Sequence, residues 1–345
     1  MILLADSREV SSMISVESLS AGPLFGLPLS EMWFGLIFTL LATFLFLDGF
    51  DFGAGAIYGL LNTDREHEAV LAAVGPFWDG NEVWLVVFGG TLFAAFPAAY
   101  ANLFSRHYLL MFGILGALIL RGLAPEMYEQ RHDERWQRAW SVAFVAGSVL
   151  APFLLGVFAG NWLVGNESSV SLIGVVVGFT LTLLTVVSGA AFLRLKAPLD
   201  LPERVSTYGQ FAVVGYLVAV VATLAILAVR LPSGLLTLLH PAIVVLVVTS
   251  IGLTAGYIVA MRRGESLLAL GAAAVLTYGL IAVVGIIMYP AIDPATGATI
   301  SETIVSTLPL NLMSIAAALL LPLVASYFVV LYSAFSGPIS PEEAY

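Results

Sequence analysis

The sequence predicts an all-α integral membrane protein with about nine transmembrane helices, and composition and segment length both point to this class. Of the 345 residues, 60% are hydrophobic and 10% are charged, and the mean hydropathy is +0.99. A soluble chain of this size could not cover so much apolar surface. There is no cysteine, which excludes disulfides, thiolate metal sites and thiol nucleophiles within this chain. The formal net charge of -10 argues against a nucleic-acid partner.

Apolar segments long enough to cross a bilayer as helices recur nine times along the chain. They lie near residues 32–54, 77–100, 104–124, 139–160, 169–192, 209–230, 236–260, 266–288 and 308–333. We therefore expect a transmembrane helical domain over residues 31–335 and a short cytoplasmic tail over 336–345. The polar, serine-rich residues 1–30 are expected to be a disordered extension, or to include residues that precede a true start at Met13.

Basic residues mark the predicted cytoplasmic side, because they concentrate in the loops on that face of a membrane. Ten of the thirteen basic residues follow the first, third, fifth or seventh segment, whereas Arg8, Arg106 and Arg230 lie on the other side. The N-terminus is thus expected outside and the C-terminus in the cytoplasm. Within the first of these loops, residues 64–75 have the pattern of a short interfacial helix, which Thr63 or Asp64 could cap.

The first segment carries two carboxylates in its apolar interior. Asp48 and Asp51 are three residues apart, so on a helix they share one face. An acid at the bilayer centre costs about 2.5–3.5 kcal/mol on insertion scales, so some neighbouring group must solvate this pair. The two acids either line a hydrated path or form hydrogen bonds that hold helices together.

The second segment begins with another pair of acids at the same spacing, in Trp78-Asp79-Gly80-Asn81-Glu82. The charge rule places this stretch at the cytoplasmic end, with Trp78 at the interface and the amide of Asn81 between the acids. Together with the first pair, Asp79 and Glu82 could relay protons inwards from the cytoplasm. The alternative is that they only favour the N-terminus of a helix, where acids are stabilised.

Arg121 ends the apolar run of the third segment at the same predicted depth. It could extend to the interface or serve as a counter-charge to the acids, and both interpretations stay open. The four histidines, His67, His107, His132 and His240, fall in loops or at segment ends. We therefore expect this chain to ligate neither a haem nor a metal ion.

Several of these stretches, taken together, resemble subunit II of the cytochrome bd-type quinol oxidases. The matching stretches are Asp48-Gly49-Phe50-Asp51-Phe52-Gly53, Trp78 to Trp84, Gly89-Gly90, Leu92 to Pro97, Tyr100-Ala101, Arg121, Gly156 to Asn161 and Leu310 to Met313. The resemblance is dense over residues 31–162 and looser towards the C-terminus.

The resemblance implies two four-helix bundles plus a peripheral helix, in a prokaryotic plasma membrane. It implies a heterodimer with subunit I, which carries haems b and d and oxidises quinol, in a complex that reduces oxygen to water. This chain would bind no haem, would stabilise subunit I and would help to shape a cytoplasmic proton path that begins at Asp79, with Asp48 and Asp51 as further acids. A structural quinone, held in this subunit by some members of the family, and a small accessory subunit are left open.

Two other functions stay open on the residues alone. A stand-alone secondary transporter or cation channel could use the same acids, although no internal repeat is visible. A purely structural subunit could hold its acids in internal hydrogen bonds. In that last case, neutralising Asp48 or Asp51 would harm assembly and leave turnover intact.

Overall fold

The structure is a computed structural model that describes residues 16–197, 201–231, 234–335 and 337, and long helices dominate it. The helices are α1 (Val16–Ala21), α2 (Leu29–Tyr58), α3 (Asp64–Val74), α4 (Trp78–Ala95), α5 (Pro97–Arg106), α6 (Tyr108–Glu129), α7 (Glu134–Leu163), α8 (Leu172–Lys196), α9 (Pro202–Arg230), α10 (Gly234–Leu238), α11 (Pro241–Arg263), α12 (Ser266–Met288), α13 (Ile300–Thr303) and α14 (Thr307–Ala334). A 3-10 turn spans Leu24–Gly26, and two short antiparallel strands, β1 (Ala291–Asp293) and β2 (Ala298–Thr299), form a hairpin after α12.

Each of the nine predicted segments corresponds to one long helix, in the order α2, α4, α6, α7, α8, α9, α11, α12 and α14. Within the described residues, eight of these helices are long and apolar enough to cross a membrane. The remaining helix is α4, which is 18 residues long and carries Asp79 and Glu82 in its first two turns. Those two acids lower its hydropathy. The all-α membrane fold is therefore confirmed.

The second predicted segment, 77–100, was drawn too long. The helix α4 ends at Ala95, Phe96 has non-helical dihedrals (φ -131°, ψ 63°), and α5 begins at Pro97. Proline has no backbone N–H to donate to the preceding turn, and its fixed φ suits the first position of a new helix. The chain therefore turns at Pro97 and does not continue as one helix.

The long helices form two four-helix bundles and one peripheral helix. The first bundle contains α2, α4, α6 and α7, the second contains α8, α9, α11 and α12, and α8 packs against both α2 and α7 to join them. At the closest approach of α2 and α8, a Cβ atom added to Gly189 would lie 2.4 Å from the backbone of Gly53. Only glycine lets the two backbones come this close. The helix α14 lies outside both bundles.

The N-terminal end of α14 holds residues that precede α2. The side-chain amide of Asn311 donates to the carbonyl oxygens of Leu19 and Gly22 at 2.8 and 2.9 Å, and its Oδ1 accepts from the Leu24 N–H at 2.8 Å. The expectation that residues 1–30 are a disordered extension, or precede in part a true start at Met13, stays a prediction, but residues 16–28 include a helix, a 3-10 turn and these hydrogen bonds to Asn311. Composition could not reveal this, because one side chain from the far end of the chain supplies the hydrogen bonds. Residues 1–15 lie outside the described residues, as does the expected tail apart from residue 337.

The loop between α2 and α4 contains the short helix α3, as the pattern of residues 64–75 predicts. Its N-terminal cap is Thr63. The Thr63 Oγ1 accepts from the backbone N–H of Glu66 at 3.3 Å, and the Glu66 carboxylate accepts from the backbone N–H of Thr63 at 3.0 Å. This reciprocal capping box fixes where the helix begins.

Candidate functional site

Two carboxylates and one guanidinium meet inside the first bundle. Asp48 and Asp51 lie on one face of α2, Arg121 comes from α6, and all three side chains are buried. The Nη1 of Arg121 donates to Oδ1 of Asp48 at 2.7 Å, and its Nη2 lies 4.0 Å from Oδ2 of Asp51. Arg121 is therefore the ion-pair partner of these acids and does not extend to an interface. If all three groups are ionised, this trio carries one net negative charge.

The helices α6 and α7 pack closely where Arg121 is held. A Cβ atom added to Gly147 of α7 would lie 2.6 Å from the backbone nitrogen of Arg121, so glycine is required at this contact. The guanidinium of Arg121 lies over the ring of Phe52, 4.6 Å from its centroid, and 6.0 Å from the ring centroid of Trp78. These aromatic faces attract the cation and help to hold it beside the carboxylates.

Asn81 connects the acids to the peripheral helix. Its side chain is fully buried; its Nδ2 donates to Oδ2 of Asp51 at 2.8 Å, and its Oδ1 accepts from the hydroxyl of Tyr332 at 2.9 Å. Residues from α2, α4, α6 and α14 thus form one polar network, which we call the acid cluster: Asp48, Asp51, Asn81, Arg121 and Tyr332. Tyr332 was not singled out in the sequence. The sequence signal that could have pointed to Tyr332 was its hydroxyl, near the predicted cytoplasmic end of the last segment.

Asp79 and Glu82 lie on the same helix as Asn81 but outside the hydrogen bonds of the acid cluster. Asp79 is exposed in the first turn of α4, and Glu82 is partly buried one turn further along. In the described part of the chain, neither carboxylate forms a hydrogen bond with another residue. The four predicted acids therefore form a series of increasing burial, from Asp79 through Glu82 to the α2 pair.

Several buried polar atoms in and beside the acid cluster have no hydrogen-bonding partner among the described residues. They are Oδ2 of Asp48, Oδ1 of Asp51, Nη2 of Arg121 and Oγ of Ser148. Ser148 lies on α7 against Gly55, one turn of α2 beyond Asp51. Buried polar atoms are normally hydrogen-bonded to protein or to ordered water. Hydrogen bonds to ordered water would satisfy these atoms.

A second arginine–carboxylate pair lies at the opposite end of the first bundle, and no sequence pattern pointed to it. Arg106, at the end of α5, donates from Nη1 and Nη2 to the two carboxylate oxygens of Asp293 at 3.0 and 3.2 Å. The Thr296 hydroxyl also donates to Oδ2 of Asp293 at 3.0 Å. Burial opposes ionisation of Asp293, but the bonds from Arg106 and Thr296 outweigh it and hold the pKa of this carboxyl below its usual value.

The histidines do not gather at the acid cluster. His67 stacks on the ring of Tyr58, with 4.0 Å between centroids, and His107 is buried beside Phe158. Among the residues that the structure describes, no group of three or more histidine, aspartate or glutamate side chains could hold a metal ion.

The fold and the acid cluster define a class of protein: a multi-span helical membrane protein of two four-helix bundles that holds buried acids against one arginine. Comparison with known proteins gives the family. The model of the family described as "Cytochrome bd terminal oxidase subunit II" matches residues 29–335, and the chain belongs to this family.

Individual relatives agree with this assignment. The chain is 31% identical over 334 residues to the cytochrome bd ubiquinol oxidase subunit 2 of Bacillus subtilis, covering 91% of this chain and 98% of that protein. It is 37% identical over 135 residues to the cytochrome bd-I ubiquinol oxidase subunit 2 of Escherichia coli, covering 39% and 36%. A solved bd oxidase structure from Geobacillus thermodenitrificans shares the fold, with a TM-score of 0.73, 16% identity, and coverage of 89% of this chain and 98% of that one.

Proposed function

We propose that this chain is the haem-free subunit II of a quinol oxidase, and that it stabilises a haem-bearing subunit I and supplies part of a proton path. The complex would oxidise quinol and reduce oxygen to water, with haems b and d held by subunit I. The protons consumed in that reduction would enter from the cytoplasm at Asp79 and pass Glu82 towards Asp51 and Asp48.

The graded burial of the four acids carries this proposal. Asp79 is exposed, Glu82 is partly buried, and Asp51 and Asp48 are 2% and 0% exposed. Ionisable groups in a membrane interior are expensive, and where they are retained they mark ion or proton routes. A series that leads from an exposed acid to buried ones is the arrangement that a proton relay requires.

The unpartnered oxygens of the acid cluster supply sites where the proposed path could bind water, and unpartnered buried nitrogens also occur away from it, at Trp84 and His107. A structural network is stable when every buried polar atom is paired, and an incompletely paired network is unfavourable. Asp48 and Asp51 each keep one oxygen without a protein partner. Water bound at these oxygens would satisfy them and would provide the hydrogen-bonded links that proton transfer needs.

Substitutions at Asp79 and Glu82 test the path in the assembled complex. We expect Asp79→Asn and Glu82→Gln each to lower oxygen consumption per haem about tenfold or more, because proton delivery then limits turnover. The haem absorption spectrum should stay unchanged, since the haems lie in the partner. Asp64→Asn, which removes an exposed acid from α3 on the same side, is the matched control and should retain full activity. Full oxygen consumption in Asp79→Asn and Glu82→Gln would contradict the proton path.

Lone-chain transport is the outcome that would favour the transporter alternative. If the chain purified without a haem-bearing partner moves cations or substrates across liposomes, it acts by itself. Co-purification with a multi-span haem protein in a stable complex is the expected result.

We further propose the orientation given by the basic residues, with the N-terminus outside. The absence of native cysteine makes this easy to test. A cysteine introduced by Glu68→Cys should be labelled by an impermeant reagent only from the cytoplasmic side.

We also propose that a structural quinone, if held here, would occupy the apolar cavity of about 440 Å³ between α2, α4, α6 and α7, which Tyr100 also lines. A small accessory subunit stays an expectation.

A further inference from the structure

We propose that Tyr332 of the peripheral helix is a positioning residue for the proton path: its hydroxyl fixes the amide of Asn81 so that the amide donates to Asp51. This inference rests on the proposed function, because it assigns a role within the same acid cluster. Tyr332 would act through Asn81 and would not itself carry protons.

The geometry supplies a continuous chain of two hydrogen bonds. The Tyr332 hydroxyl lies 2.9 Å from Oδ1 of Asn81, and Nδ2 of Asn81 lies 2.8 Å from Oδ2 of Asp51. Asn81 is fully buried, so bulk water does not compete for either end of its amide. Both bonds therefore contribute to the orientation of this side chain.

The amide of asparagine has an acceptor end and a donor end of nearly equal size, so shape alone does not select its orientation. Two groups select it here. The carboxylate of Asp51 requires a donor, and the hydroxyl of Tyr332 supplies a donor to the opposite end. If that hydroxyl is removed, Oδ1 of Asn81 loses its partner. The orientation in which the amide donates to Asp51 then leaves a buried oxygen unpaired, and this destabilises that orientation.

The position of Tyr332 does not depend on its hydroxyl. Its ring stacks on the buried ring of Phe77, with 4.7 Å between centroids, and the next turn is held where the Lys196 ammonium donates to the carbonyl oxygen of Phe335. The buried residues of α14 are Leu310 and Asn311, which both lie near its N-terminal end. Its C-terminal end is thus fastened by ring stacking and by a hydrogen bond from the Lys196 ammonium, and Tyr332→Phe would keep both, so this variant removes the hydroxyl alone.

The test uses the purified complex with subunit I, and turnover is expressed per haem so that assembly and activity are separated. We expect Tyr332→Phe to lower oxygen consumption about fivefold, the effect of losing one buried hydrogen bond. The KM for quinol should not rise, because quinol is oxidised in the partner. Tyr327→Phe is the matched control: it lies on the same helix, 57% exposed and with no hydrogen bond from its hydroxyl among the described residues, and should behave as wild type.

A double-mutant cycle with Asn81→Ala separates positioning from packing. If Tyr332 acts through Asn81, adding Tyr332→Phe to Asn81→Ala should cause no further loss of turnover. A full additional fivefold loss would show that Tyr332 acts by another route and would overturn the inference.

Other outcomes of these experiments distinguish the role of Tyr332 from the proton path itself. Wild-type turnover in Tyr332→Phe, with reduced turnover in Asp79→Asn, would overturn the role of Tyr332 and leave the proton path standing. Wild-type turnover in Tyr332→Phe, Asp79→Asn and Glu82→Gln alike would overturn both. A lower yield of complex with full turnover per haem would assign Tyr332 to assembly, and would also contradict the inference.

Discussion

Two arginine–carboxylate sites lie at opposite ends of the first bundle, and they differ in how completely their carboxylate oxygens are paired. At the end that our proposed orientation places outside, both oxygens of Asp293 accept from the two guanidinium nitrogens of Arg106. At the end that it places towards the cytoplasm, one arginine faces two carboxylates. Arg121 pairs closely with Asp48 and lies 4.0 Å from Asp51, and both acids keep an unpartnered oxygen.

The two sites therefore differ in charge balance and in hydrogen bonding, and the proposed proton path uses only the second of them. The outer pair balances its charges and fixes the hairpin of β1 and β2 against α5. With all three groups ionised, the inner trio carries one net negative charge, and each of its acids keeps one carboxylate oxygen without a partner among the described residues. Our proposal assigns the two buried acids a role in proton transfer, with the exposed Asp79 on α4 as the entry point.

The largest expected effect is the loss of the inner counter-charge. Arg121→Ala should destabilise the fold by about 3–5 kcal/mol, because it leaves two buried carboxylates uncompensated. The yield of assembled complex and its thermal midpoint measure this. Arg131→Ala breaks an exposed pair with Asp133, whose side chains are 62% and 49% exposed, and should change neither quantity. If Arg121→Ala assembled as well as the wild type, the result would contradict the claim that this ion pair stabilises the fold.

The two inner acids should differ from each other. Asp48 accepts a charged hydrogen bond at 2.7 Å, whereas the nearest donor to Asp51 is the neutral amide of Asn81. Asp48→Asn and Asp51→Asn are each expected to lose about 1.5–3 kcal/mol of stability, and the larger loss is expected in Asp48→Asn because only Asp48 accepts a hydrogen bond from a cation. In Asp51→Asn, oxygen consumption per haem should fall in a complex that still assembles. Equal loss of stability in both variants, with full turnover, would instead support the purely structural subunit.

The outer pair should affect stability without affecting turnover. A double-mutant cycle of Arg106→Ala and Asp293→Asn should give a coupling of about 1.5–3 kcal/mol at pH 7. Because the folded-state pKa of Asp293 lies below its ordinary value, this coupling is present above about pH 4 and is lost as the pH falls through the folded-state pKa. Thermal unfolding across that range measures it. A coupling that grew on acidification would reverse the assigned sign.

The smallest effect is expected at the surface. The carboxylate of Glu66 on α3 accepts from Arg204 of α9 at 2.9 Å, but the Arg204 side chain is 46% exposed. Such pairs contribute little and are screened by salt. Arg204→Ala should leave the thermal midpoint within experimental error at 0.15 M salt. A large shift would mean that buried and exposed pairs in this protein cannot be ranked by burial.

Much of the fold follows from local sequence. Segment length and apolar composition located all nine long helices, and the Thr63 capping box could be anticipated from residues three apart. The exception is Pro97, which is visible in the sequence and ends a segment that hydropathy alone extends. The shared face of Asp48 and Asp51 also follows directly from helical spacing.

The partners of the acids could not be predicted in the same way. Arg121 lies 73 residues from Asp48, Tyr332 lies 251 residues from Asn81, and Asp293 lies 187 residues from Arg106. Which side chains meet at these distances depends on how helices pack, and that depends on close contacts such as Gly147 against α6. For Arg121 the sequence left two roles, and its 3% exposure identifies it as a counter-charge.

Proton uptake by the assembled complex tests the central claim most directly. The complex, fully reduced and mixed rapidly with oxygen in weakly buffered solution with a pH indicator, reports the rate at which protons enter. In Asp79→Asn combined with Glu82→Gln, we predict an uptake rate at least about tenfold below wild type with unchanged haem content. Uptake at the wild-type rate in that variant would contradict a proton path through these acids.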